Sequence, residues 1–208
     1  MVDPKTLKYR NVTISGRICT GTSTLSGLLI GELRWKHWNA GQFFRDYCDK
    51  HKLLLENTPD RSDELSRKVD YGMRKNLKEK KGQLMEAWLS GFVAQGITGV
   101  LKVLLVCEDS LRVDRFVNRE KVTVQVAKEH IKKREYENTK KWSRVYTKEW
   151  KIWVPKGKQK LRTKDNFSDF WHPDLYDLTI DTYSNSREET LKKVLNALGY
   201  KKNSKGTF

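Results

Sequence analysis

One stretch constrains this chain more than any other. Gly16-Arg-Ile-Cys-Thr-Gly-Thr-Ser-Thr24 lies between a short β-branched run and an amphipathic helix. The run before it, Tyr9-Arg-Asn-Val-Thr-Ile-Ser15, reads as a strand. After it, leucines at 25, 28, 29 and 33 fall on one face of a helix over 23–33. A strand, a glycine turn and a helix in that order make an anion site at a helix N-terminus. Phosphate loops have the spacing G-x-x-x-x-G-K-[ST]. Their glycines let backbone N–H groups curl around phosphate oxygens, the lysine neutralises the terminal phosphates and the hydroxyl binds Mg²⁺. Here Gly16, Gly21 and Ser23 are in register and Thr24 follows, but Thr22 occupies the lysine position. A threonine does not carry that point charge. A tight turn without a ligand would share the spacing, though the strand and helix on either side argue for ATP at 16–24. Arg17 is either a replacement for the missing charge or an exposed arginine in a basic protein.

The remaining chain repeats the alternation. Strands are expected at 34–38, 83–88, 100–107 and 177–182, the third being the clearest buried run. Helices are expected from Gln42, over 66–80, 110–119, 124–146 and 186–198, the last with Ser186 as N-cap and Glu188 and Glu189 in its first turn. Residues 56–64, with Pro59, read as a loop. The expectation is an α/β fold of three layers, a five-stranded parallel sheet covered by helices on both faces. At 208 residues, 37% hydrophobic, the chain suits a single domain over 1–208.

Charge and cysteines narrow the class. A net charge of +16 attracts polyanions, among them nucleotides, nucleic acid and acidic lipid. Cys19, Cys48 and Cys107 are odd in number and far apart, which argues against a disulfide framework or a zinc site. Neither a signal-like apolar run nor a membrane-length stretch is present, so a cytoplasmic monomer is expected. One segment departs from the alternation: the basic insertion at 147–166. Residues 147–164 carry seven basic residues against one acidic, and Pro155-Lys-Gly157 suggests the turn of a small basic hairpin.

Beyond the loop, the chain resembles the archaeal-type cytidylate kinases, a branch of the nucleoside-monophosphate kinases. The likeness rests on Thr13-Ile-Ser-Gly16, Asn39-Ala-Gly-Gln-Phe-Phe-Arg45, Arg112-Val-Asp-Arg115 with Arg119-Glu120, and Arg134-Glu135 through Lys140, Lys141 and Tyr146. Tyr176-Asp-Leu-Thr-Ile-Asp-Thr182 completes it. The resemblance implies a helical lid at about 120–146. It implies that Arg45, with Gly41 and Asp70, holds the acceptor's phosphate side, and that Arg115, Arg134 and Lys141 act on the transferring group. Asp70 and the lid cations could equally be solvated helix faces. The family's E-G-R stretch is Glu86-Ala-Trp88 here: Glu86 is kept for Mg²⁺ beside Ser23, while Trp88 replaces the arginine and either stacks on a base or lines a wall.

The leading expectation is transfer of the ATP γ-phosphoryl group to CMP, dCMP or a related acceptor. The arginines would grip phosphates and neutralise the transferring group. An alternative is a nucleotide-binding protein without turnover, since Thr22 and Trp88 remove two cations. A third is polyanion or nucleic-acid binding through the insertion and Lys201, Lys202 and Lys205, which is not favoured.

Overall fold

The strand β1 (Asn11–Gly16) is buried along its whole length and is the middle of the sheet. In this computed structural model, which describes residues 1–53 and 62–201, β1 pairs with β3 (Gln83–Glu86) on one side and β4 (Val100–Val106) on the other. Strand β2 (Lys36–Asn39) adds to β3, and β5 (Leu178–Asp181) adds to β4. The order is β2-β3-β1-β4-β5 and every pairing is parallel. The sheet was therefore legible, because continuous β-branched and apolar runs are what a strand covered on both faces requires.

Alternation along β1 sorts the two layers. Val12 and Ile14 face α1 (Thr22–Leu33) and α8 (Arg187–Leu198), packing with Leu25, Leu29, Leu33, Val194 and Leu198. Ser186 caps α8 in a full capping box with Glu189. On the other face lie α3 (Asp63–Glu79), the short α4 (Ser90–Val93) and the aromatic packing of Phe92 with Tyr146, Trp150 and Phe170. Helices α2 (Ala40–His51), α5 (Asp109–Glu120) and α6 (Val124–Val145) follow β2 and β4. The expected loop at 56–64 lies mostly outside the described residues, as do Lys202 and Lys205.

The basic hairpin is not formed. Helix α6 hands over at Tyr146 to α7 (Thr147–Trp153), so Trp150-Lys-Ile-Trp belongs to a helix. Trp150 and Val154, four apart, are buried while Ile152 is 65% exposed, which is helical rather than alternating burial. Glu149, the acidic residue of 147–164, turns inward to Arg67 and Tyr71 of α3. Pro155 ends the helix, Lys156–Lys158 makes one 3₁₀ turn, and a single antiparallel bridge joins Arg162 to Ser168.

Candidate active site

The loop between β1 and α1 needs its two glycines for different reasons. A Cβ on Gly16 would lie 2.2 Å from Thr20 Oγ1 and 2.9 Å from the Leu105 carbonyl. Gly21 sits at φ 95°, in the left-handed region, and is the N-cap of α1 without any side-chain cap. No N-cap side chain therefore meets the first-turn N–H groups of α1, the arrangement that favours an anion. Gly21, Thr22, Ser23 and Thr24 line a hollow of about 570 Å³ together with Arg115, Thr182, Asn185 and Arg187.

Two arginines of α5 brace this loop through its main chain. Arg115 donates to the Cys19 carbonyl and to the carbonyl and hydroxyl of Thr182, all at 3.1 Å, and Thr182 Oγ1 donates to the Thr20 carbonyl at 2.9 Å. Arg112 is buried; its Nε donates to the Ile18 carbonyl at 2.8 Å and its guanidinium pairs with Asp109 and with Glu135 of α6. Glu135 in turn accepts from the Ile18 N–H at 3.2 Å. Burial lifts the Glu135 carboxyl above its usual range despite the opposing charges of Arg112 and Arg17. Both backbone groups of Ile18 are held by one buried ion pair. Cys19, at φ 61°, keeps its left-handed backbone inside that brace.

A second cleft, about 160 Å³, opens on the other side of the loop. Asn39 caps α2, and Arg45 folds back over Gly41, where an added Cβ would lie 3.5 Å from its guanidinium; its own side-chain bonds go to Gln42. Trp88 forms the wall, edge-on to Trp142 and Trp171, with the Arg134 guanidinium 5.6 Å from its ring. Lys141 reaches Asp63 at 3.6 Å with its side chain only 9% exposed. Asp70 is not on a solvated face: it is 7% exposed, accepts from Tyr146, and burial pushes its carboxyl up to about 7 against that bond.

The structure therefore brings Thr22, Ser23, Arg45, Arg119 and Arg134 to the boundary shared by the two hollows. Glu86, Gly41, Asp70, Trp88 and Lys141 line the second, Arg115 the first. Arg17 lines the second cleft and not the first, reaching Glu135 at 3.7 Å and lying over Trp171 at 5.2 Å. Sequence reasoning did not single out His37 or Trp171. Ser23 and Thr22 both donate to Glu86 Oε1, at 2.6 and 3.2 Å, and His37 sits 3.2 Å from Oε2.

A five-stranded parallel sheet with a glycine loop leading into a helix between two hollows is the P-loop kinase fold. The family described as the AAA domain matches residues 12–151. A cytidylate kinase from Pyrococcus furiosus is 30% identical over 138 residues, spanning 65% of this chain and 70% of that one. The cytidylate kinase of Archaeoglobus fulgidus is 23% identical over 194 residues, 92% of this chain and 96% of that one. Among solved structures, a gluconokinase from Sinorhizobium meliloti superposes with a TM-score of 0.56 at 8% identity, covering 92% of this chain and 93% of that one, a likeness of fold. The chain belongs to the AAA-domain family as a divergent member of its archaeal-type cytidylate kinases. No helix among the described residues is long and apolar enough to cross a membrane.

Proposed function

We propose that this chain is a cytidylate-type kinase that moves the γ-phosphoryl group of ATP onto a phosphate oxygen of CMP or dCMP, yielding ADP and the nucleoside diphosphate. The observation that carries this reading is the meeting of two hollows at Thr22, Ser23, Arg45, Arg119 and Arg134. In-line transfer needs a donor on one side, an acceptor on the other, and cations where they meet. ATP would occupy the first hollow, its phosphates on the N–H groups of 16–24 and its terminal charge met by arginines instead of a loop lysine. The acceptor phosphate would lie against Arg45 beside Gly41, with the base between Trp88 and the buried Asp70. Arg134 and Lys141 of α6 would face the transferring group. Arg115, bound to the Cys19 carbonyl of the loop and to Thr182, would set the loop rather than touch phosphate.

Ser23 and Glu86 are hard oxygen donors, and the Glu86 carboxyl is held below its usual range, so this pair fits Mg²⁺ and would hold it directly or through water. Held there by Ser23 and Glu86, the cation would supply positive charge against that of the phosphates.

The test is a panel of nucleoside monophosphates with Mg-ATP, followed by ADP release, with Arg45→Ala as control. CMP and dCMP should turn over fastest, and Arg45→Ala should lower kcat/KM by about 10²–10³. ATP binding without turnover on any acceptor would overturn the reading.

A further inference from the structure

Three elements converge on one carboxylate that the loop motif does not include. Glu86 ends β3 and is 5% exposed. Its Oε1 accepts from Ser23 Oγ and Thr22 Oγ1, so the metal hydroxyl and the residue at the lysine position share one oxygen. Its Oε2 faces His37 Nε2 at 3.2 Å. Burial pushes this carboxyl up, while the hydrogen bonds from His37 and Ser23 pull it down, and the balance lies below its usual range. A carboxylate oxygen at hydrogen-bond distance from an imidazole nitrogen is the acceptor, so His37 is assigned the tautomer with the hydrogen on Nε2 and is the donor.

His37 lies on β2, at the edge of the sheet, in register with Leu84, two residues before the Asn39 that pairs with Glu86. The same strand ends in the cap of α2, which carries Gly41 and Arg45. The imidazole is about one quarter exposed, so its contribution to the core is small, whereas the oxygen it meets is buried. In this loop there is no ammonium group to stand beside Glu86, because position 22 is threonine.

We propose that His37 is a positioning residue for phosphoryl transfer, whose Nε2–H holds one oxygen of Glu86 so that the other stays aimed at Ser23, where the nucleotide's divalent cation is held. The proposal rests on the reading of Ser23 and Glu86 given above and extends it to the outer partner that orients them. Partners of this kind commonly matter as much as the ligand they hold.

The experiment is calorimetric titration of the full chain with ATP, once with Mg²⁺ and once with EDTA. His37→Leu should lose about 10-fold or more of the affinity gained from Mg²⁺, while affinity in EDTA stays within about twofold. His37→Gln, whose Nε2 amide reaches the same oxygen, should keep most of the gain. Should His37→Leu melt well below the wild type, His37→Asn takes its place, since its shorter amide keeps polarity but does not reach Oε2. Equal losses with and without Mg²⁺, an unchanged His37→Leu, or a His37→Gln as impaired as His37→Leu would each overturn the proposal. These titrations need neither acceptor nor turnover. A chain that shows the His37 dependence yet transfers nothing overturns the kinase reading alone. A chain that turns over but ignores His37 overturns this inference alone.

Discussion

The hollow proposed for ATP and the cleft proposed for the acceptor share a boundary, yet they are made of different materials. The first is lined by the glycine loop, short hydroxyl side chains and arginines, and its loop is held in shape by Arg112, Arg115 and Glu135 bonding to loop peptide groups. The second has an aromatic wall of Phe44, Trp88 and Trp142, with a buried Asp70 whose carboxyl burial pushes up to about 7. Backbone geometry tolerates change of side chain as long as the glycines remain, which is why the loop keeps its form with Thr22 in place of lysine. An aromatic wall changes its selectivity with each substitution. The difference predicts that bracing residues act on stability and ATP, wall residues on the acceptor, and boundary residues on both.

The largest expected effect breaks the brace. Arg112→Ala leaves the buried Glu135 with only the half-exposed Arg17 at 3.7 Å and the Ile18 N–H, and removing one partner of such a buried pair destabilises by up to about 3–5 kcal/mol. Urea unfolding measures it; a loss below about 1 kcal/mol would mean that the ion pair does not organise the loop. Next is Arg134→Ala at the boundary, for which kcat should fall about 10²–10³. Were only the acceptor KM to move, Arg134 would belong to the acceptor side alone.

Asp70→Asn sharpens the comparison from the acceptor side. Burial lifts the folded carboxyl to about 7, whereas the unfolded chain releases that proton near an ordinary value of about 3.9. Between those values the native state holds a proton that the unfolded chain has lost, so stability falls as pH rises from about 4 to 7 and stays reduced above it. Asp70→Asn should remove that slope and raise stability at pH 8 by up to about 4 kcal/mol, with ATP affinity unchanged. A slope that persists in the variant assigns it to another group.

The two sides also differed in how readily they could be read from sequence. The loop needed only a strand period, two glycines and a helical leucine face, all within residues 9–33. Position 70 carried a usable signal: Ser66, Asp70, Met73 and Leu77 are the buried residues of α3, and their spacing of four, three and four places the aspartate on the apolar face. Trp150-Lys-Ile-Trp-Val154 satisfies a strand period and a helical one alike. Distant partners decide it, namely the stacking of Phe92 on Trp150 and the Arg67–Glu149 pair. His37 and Trp171 had no local motif, because their meaning comes from Glu86 and Trp88, which only the folded sheet brings near.

Arg17 is the residue that tests where the boundary runs, and its effect should be the smallest. It belongs to the loop by sequence but stacks over Trp171 and reaches Glu135 at 3.7 Å, with 46% of its side chain exposed. A half-exposed pair and a ring contact are each worth about 0–1 kcal/mol. If that is all it does, Arg17→Ala changes ATP affinity less than about fivefold, and its combination with Thr22→Lys is additive. If instead Arg17 swings inward to replace the missing lysine, the single variant loses ATP affinity by about 10-fold or more and Thr22→Lys restores it, a coupling above about 1 kcal/mol. The observed geometry favours additivity, because an inward swing would give up both contacts and leave the buried Glu135 to Arg112 alone. A non-additive cycle, read from ATP titrations of the four proteins, would move Arg17 from the aromatic side of the site to the phosphate side.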